Sequence, residues 1–239
     1  MKHENISLVI QGPLDKTGLD CINNYTKYVD DIIISCWSNY NSELLQYIPE
    51  GVTFISNELP KFSCCGTFYW QILSTFYGCK LAKYDHVLKV RCDEYYPNIS
   101  DILKCIKDNP EKLVTNNIWF NSDKVCKFHV SDHMWGGKTQ KIVDFLSNYM
   151  IPRLTNQILF IQPIKDYIYG PPEIVLTKSW IDYCGDFPDE KCSKELMLKH
   201  VSMIPVSQMG KFIAKAGKQA MTDINYLKQY NSIFSMDEF

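Results

Sequence analysis

The chain has 239 residues, 46% of them apolar and 13% aromatic, which is enough to bury a full core in one domain. Charged residues make up 22%, and 25 basic against 27 acidic residues give a formal charge of -2. That balance excludes a disordered polyelectrolyte and leaves no basic face for long nucleic acid, while still allowing a small anion to be held locally.

The N-terminus lacks the apolar core of a signal peptide, and no 18 apolar residues follow one another, so a cytoplasmic protein without a transmembrane segment is expected. Ten cysteines are spread without a CxxC pair, which points to buried free thiols; Cys64-Cys65 and the Cys184/Cys192 pair are the exceptions to watch.

In chain order, Ile6-Ser7-Leu8-Val9-Ile10 reads as a buried strand that breaks at Gly12-Pro13, and Leu19, Ile22 and Tyr25 then recur at helical spacing. The β-branched run Asp31–Cys36 is a second strand, a short helix covers Ser42–Tyr47, and Val52–Ile55 is a third strand. A helix over Thr67–Lys83 presents Phe68, Ile72, Phe76 and Cys79 on one stripe and leads to the strand His86–Val90. Pro97 and Asn98 open another helix, and Leu113-Val114-Thr115 begins a further strand. This alternation predicts an α/β domain with a mainly parallel central sheet flanked by helices, Rossmann-like in its N-terminal half, with ligands gathering at the strand C-termini.

Beyond Val125, Lys127–Val130 reads as extended, and Ser131–Gly137 as a polar turn before a helix carrying Ile142, Val143 and Leu146. Tyr167–Pro172 is a loop, and Glu173 opens a helix through Ile181. The expected organisation is a single domain with a nucleotide-binding half over 1–110, a second half over 111–208, and a helical tail over 209–239. Lys211, Lys215 and Lys218 fall on one face of that tail, able to meet phosphate or simply water.

Five places can carry chemistry. Asp93 and Glu94 follow an apolar strand, where two adjacent carboxylates repel each other and a hard cation would relieve them; a turn-capping Asp beside a solvated Glu is the plain alternative. Gln11-Gly12-Pro13 offers donors and acceptors beside a glycine that permits close approach, or merely a tight turn, and it is neither a GxGxxG nor a P-loop. Asp132 and His133 can orient a hydroxyl or bind metal, with Trp135 stacking on a sugar and Gly136 letting the chain pass near it. Glu173, at a helix start, can act as a general base or only stabilise the first turn. His200 can complete a metal shell or be structural.

Taken in order, these segments resemble GT-A-type glycosyltransferases, especially the WavE-like lipopolysaccharide-synthesis family and its viral relatives. The resemblance is carried by Ser7–Pro13, strand 32–36 with Trp37-Ser38, Gln71, Lys89–Asp93, Ser131-Asp132-His133 with Gly136, and Pro172-Glu173, across residues 6–182. It implies a GT-A-like single domain and a glycosyltransferase that moves a sugar from a nucleoside-diphosphate sugar to a glycan or other hydroxyl acceptor. The donor would lie on Gln11, Gly12, Pro13, Arg91, Asp93, Trp135 and Gly136. Mn2+ or Mg2+ would sit at Asp93 with His200, and Glu173 or Asp132 would be the base. Arg91-Cys92-Asp93 departs from the family's DxD pattern at its first position, which points to a cationic share in leaving-group stabilisation. A nucleotidyltransferase, a non-catalytic nucleotide-sugar binding protein and a protein scaffold built on Trp37, Trp70 and Trp135 are the alternatives.

Overall fold

The computed structural model describes the chain apart from residues 1, 4, 15, 63–66, 119, 122–123, 160–170, 211, 215–218 and 222–239. Seven strands form one sheet: β1 (Ile6–Gln11), β2 (Asp31–Trp37), β3 (Thr53–Asn57), β4 (His86–Arg91), β5 (Leu113–Asn116), β6 (Trp135–Lys138) and β7 (Val201–Ile204). Their order is β3-β2-β1-β4-β6-β5-β7. β6 runs antiparallel to both of its neighbours, and the other strands share one direction. The sheet is therefore mixed, with the expected parallel core in β3-β2-β1-β4.

Helices cover both faces: α1 (Lys16–Tyr25), α2 (Phe68–Cys79), α3 (Ser100–Asp108), α4 (Thr139–Asp144), α5 (Ile151–Leu159), α6 (Pro172–Tyr183) and α7 (Ser193–His200). A π-helical turn, Phe145–Met150, joins α4 to α5. Period-two alternation along the strands divides the core. Leu8, Ile10, Ile32, Ile34, Leu88 and Val90 face Leu19 and Ile22 of α1 and Ile102 and Ile106 of α3. On the other face Val9, Ile33 and Val87 meet Phe68 and Ile72 of α2 together with Phe145, Trp180 and Ile181. Each fully buried side chain of this kind contributes about 1.5–3 kcal/mol.

The segment expected as a helical tail begins instead with a small antiparallel hairpin, β8 (Phe212–Ala214) and β9 (Gln219–Met221). Residues 222–239, Lys211, Lys215, Lys218, Cys64, Cys65 and most of the loop before Pro172 lie outside the described residues. Cys184 and Cys192 are free thiols. Among the described residues no helix is long and apolar enough to cross a membrane.

The chain steps from β1 outward to β2 and β3, and then returns to place β4 on the other side of β1. That reversal opens a crevice at the carboxyl ends of β1 and β4, the place where ligands bind in open α/β sheets. Gln11 is the last residue of β1 and Arg91 the last of β4, and they are direct partners in the parallel register.

Candidate functional site

A cavity of about 280 Å3 fills this crevice, lined by Gln11, Gly12 and Pro13 after β1, Trp37 and Asn39 at the end of β2, Leu59, and Arg91 and Asp93 after β4. Thr67, Trp70 and Gln71 close it from the first turn of α2. Because α2 begins at this edge, its dipole adds positive potential on the side of the cavity that Arg91 lines. Gln11 and Asp93, separated by 82 positions in sequence, thus line one hollow.

Gly12 has φ +128°, a region that side-chain-bearing residues rarely adopt, and a Cβ there would lie 2.8 Å from Cys92 Sγ. The turn from β1 to α1 therefore needs glycine at this point, and it packs the two cavity-lining loops together. Arg91 holds Asp93 through a fork, Nε to Oδ1 and Nη2 to Oδ2, both at 2.8 Å. Its Nε also lies 3.3 Å from Glu94 Oε1. Burial acts against the guanidinium charge, but the bonds and charges of Asp93 and Glu94 outweigh it and keep Arg91 ionised. Nη1 has no partner among the described residues and is the donor left for a ligand.

Beneath the cavity lies a second, buried layer. Glu94 is fully buried and accepts from the Tyr96 hydroxyl at 2.7 Å and from the His133 ring at Nδ1. Burial alone would raise its pKa, yet His133, Arg91 and the Tyr96 hydroxyl together bring it below the ordinary carboxylate value. Lys89, equally buried, donates to the carbonyls of Asp132 (2.8 Å) and His133 (3.2 Å). Gln71 donates to the Asp132 carbonyl as well, at 2.9 Å. Asp132 is held below its usual pKa because His133, Lys89 and Arg91 outweigh its burial. Glu173, at the first turn of α6, is pushed up by burial and then by the charge of Asp132. Two carboxylates that feel each other's charge are thereby driven apart in proton affinity.

Burial brings Lys89 down to about 8, with Asp132 opposing the shift. An unfolded lysine titrates near ~10.4, so between about 8 and that value the unfolded chain binds a proton that the native chain has released. Stability from this group therefore rises with pH across that window. Urea unfolding of the native chain and of Lys89→Met at pH 8 and pH 10 should show the native chain gaining stability relative to the variant as pH rises, whatever the buried thiols contribute to both; a difference that does not change with pH would contradict it.

The remaining expected site residues lie elsewhere. Trp135 is fully buried in β6, paired with Lys89 and Thr115, with the Lys89 ammonium 5.8 Å from its ring, so it offers no platform to a sugar. Gly136 is a glycine for sheet packing: a Cβ there would fall 2.2 Å from Val87 O and 3.0 Å from Leu88 Cα. His200 precedes β7 and so stands at the opposite edge of the sheet from Asp93. It is bound to Asp186 through Nε2 and to Trp180 through its carbonyl. Asp132, Glu173, Trp135, Gly136 and His200 are all absent from the cavity lining.

A divalent ion, which the DxD-like segment implies, does not fit the residues present. Both Asp93 oxygens are occupied by Arg91, His200 is remote, and no group of three His, Cys, Asp or Glu side chains among the described residues is arranged to hold a metal. The side chains that sequence reasoning passed over are Asn39 and Thr67, which carried no local signal, and Trp70, which was read only as a possible partner surface. Trp70 donates from Nε1 to Phe62 O at 3.0 Å and so ties the β3–α2 loop to the cavity wall.

No family model matches the chain, and no curated protein does. Among solved structures, HddC from Yersinia pseudotuberculosis, in complex with GMP-PN, is 15% identical and aligns over 59% of this chain and 79% of its own, with a TM-score of 0.40. A protein of Bacillus anthracis described as a glucose-1-phosphate thymidylyltransferase, in complex with a sucrose, is 7% identical and aligns over 95% of this chain and 94% of its own, with a TM-score of 0.52. At that identity the second likeness establishes a shared fold across nearly the whole of both chains: a single α/β domain with a mixed central sheet flanked by helices, consistent with a GT-A-like architecture.

Proposed function

We propose that the chain is a transferase that handles a nucleotide-activated sugar, with the nucleotide in the crevice between β1 and β4. The observation that carries this is the convergence of Gln11, Trp37, Trp70 and Arg91 on one cavity at the sheet's switch point. The base and ribose would lie against Gln11, Asn39 and the two indoles. The phosphates would lie at Arg91 and the start of α2, where a guanidinium N–H and the helix dipole favour negative charge.

Two reactions use such a site, and each has its own support. Nucleotidyl transfer is favoured by the fold likeness to a thymidylyltransferase over nearly the full length. A sugar-phosphate oxygen would attack the α-phosphorus, the bond to the β-phosphate would break, and pyrophosphate would leave. Sugar transfer rests on the motif resemblance and on the carboxylates Asp132 and Glu173. An acceptor oxygen would attack the anomeric carbon, one carboxylate would take its proton, and the nucleoside diphosphate would depart with the electrons of the broken C–O bond. Arg91 would neutralise the departing phosphate in either case.

Product analysis separates the two. The purified chain is incubated with nucleoside triphosphates plus sugar 1-phosphates, and separately with UDP-, GDP-, ADP- and dTDP-sugars plus simple glycan acceptors, each with and without Mn2+. Pyrophosphate from the first mixture identifies nucleotidyl transfer, and nucleoside diphosphate from the second identifies sugar transfer. Release of neither would overturn the enzymatic reading and leave a binding protein.

A further inference from the structure

We propose that the buried Glu94–His133 pair is a positioning couple that links the phosphate-facing Arg91 to the Asp132 carboxylate, so that a nucleotide in the crevice is registered at the second layer. This inference rests on the nucleotide reading of the crevice given above.

Glu94 is fully buried, and a carboxylate in that state is tolerated only when its oxygens are bonded. Two donors bond it, the Tyr96 hydroxyl two residues on and the His133 ring thirty-nine residues away, and Arg91 at the end of β4 is its ion-pair partner. The Arg91 Nε–H donates to Asp93 Oδ1 at 2.8 Å, while Nε stands 3.3 Å from Glu94 Oε1 as an ion pair. Arg91 lines the cavity, and its Nη1 is without a partner among the described residues. A phosphate that bonds Nη1 draws the guanidinium outward and lengthens that ion pair. The change then falls on the one carboxylate that also holds His133.

From His133 the path continues to Asp132, whose Oδ1 lies 3.7 Å from Nε2. Movement of the loop would absorb the signal if the loop were free. It is not: Lys89 bonds both the Asp132 and His133 carbonyls, Gln71 bonds the first of them, and the Ser131 hydroxyl accepts from the His133 N–H at 3.3 Å. With the backbone pinned, the imidazole ring is the part left to respond. Neither Glu94 nor His133 lines the cavity, so both act through Arg91 and are positioning residues.

The test is NMR on the whole chain, with long-range 1H–15N spectra of the imidazole rings and indole N–H signals recorded as UDP, GDP, ADP or dTDP is added. The His133 ring is assigned with His133→Asn. Trp37 and Trp70 report occupation of the crevice. The expected result is that the His133 ring nitrogens shift along the same binding curve as those indoles. In Glu94→Gln the indoles still shift, at up to about ten-fold higher nucleotide concentration, while His133 stays still. Arg91→Lys keeps a cation but removes the Nε that touches Glu94. At saturating nucleotide it should likewise uncouple His133 from the indoles, which covers the case in which Glu94→Gln does not fold. Indoles that shift in the native chain while His133 stays fixed would overturn the coupling and leave the crevice reading intact, as would a His133 shift that persists in both variants. Indoles unmoved by every nucleotide would overturn the crevice reading itself.

Discussion

Gly136→Ala lowers stability by about 3 kcal/mol or more, at or beyond the top of the ordinary range for overpacking. The added Cβ would lie 2.2 Å from Val87 O and 3.0 Å from Leu88 Cα, both backbone atoms of the central strand, with Ile106 Cδ1 at 2.9 Å. A flexible side chain could yield; a strand bonded on both edges cannot do so without moving its neighbours. For a domain of this size the loss corresponds to a fall in Tm of roughly 6–12 °C. Gly137→Ala is the internal control, since its nearest neighbour is Lys112 O at 3.2 Å and a shift of a few tenths of an ångström relieves it. Its expected cost is about 1 kcal/mol. Thermal unfolding of both variants checks the pair. A Gly136→Ala chain of native stability that has lost affinity for a sugar nucleotide would restore the sequence expectation that this glycine faces a ligand.

Arg91→Gln weakens nucleoside diphosphate binding by about 10- to 100-fold, the range expected when a charge-assisted bond to phosphate is lost from a partly enclosed site, about 1.5–3 kcal/mol. Arg91 is the one cation among the described residues lining the cavity, so no neighbour can replace it there. The substitution also frees Asp93, whose carboxylate then faces the phosphates without its partner, and the repulsion adds to the loss. Arg91→Gln combined with Asp93→Asn should therefore recover part of the affinity. Calorimetric titration of the native chain, the single variant and the double variant reads this directly. An unchanged affinity in Arg91→Gln would remove the phosphates from this end of the crevice.

Much of the scaffold was legible because it is written in local periodicity. The runs at Ile6–Ile10, Asp31–Cys36 and His86–Val90 are strands whose observed ends lie within one residue of the expected ones. The stripe Phe68, Ile72 and Cys79 is the buried face of α2. The order of strands also placed Gln11 and Asp93 at one edge, since parallel strands joined by helices put all their carboxyl ends together.

What was not legible is non-local. β6 reads as a turn because Trp135-Gly136-Gly137 has no strand periodicity; it is a strand because β4 and β5 supply hydrogen-bond partners on both sides. The same tertiary setting removes Trp135 from reach of a ligand. His200 looked available because its partner, Asp186, lies 14 residues away, beyond the other end of α7. Asp93 looked like a metal ligand because sequence does not reveal that a side chain two positions earlier folds back onto both of its oxygens. Lys89 and Arg91 stand two apart on β4, but the outcome, a buried lysine beside a part-buried ion pair, depends on carbonyls 43 and 44 residues downstream.

The central claim is that the crevice between β1 and β4 holds the nucleotide of an activated sugar. A crystal structure of the chain with whichever of UDP, GDP, ADP or dTDP binds most tightly tests it most directly. The account predicts a phosphate oxygen within hydrogen-bond distance of an Arg91 guanidinium nitrogen, with the base and ribose beside Gln11 and Trp37. A nucleotide seated at any other edge of the sheet, or no binding of any of the four, would contradict it.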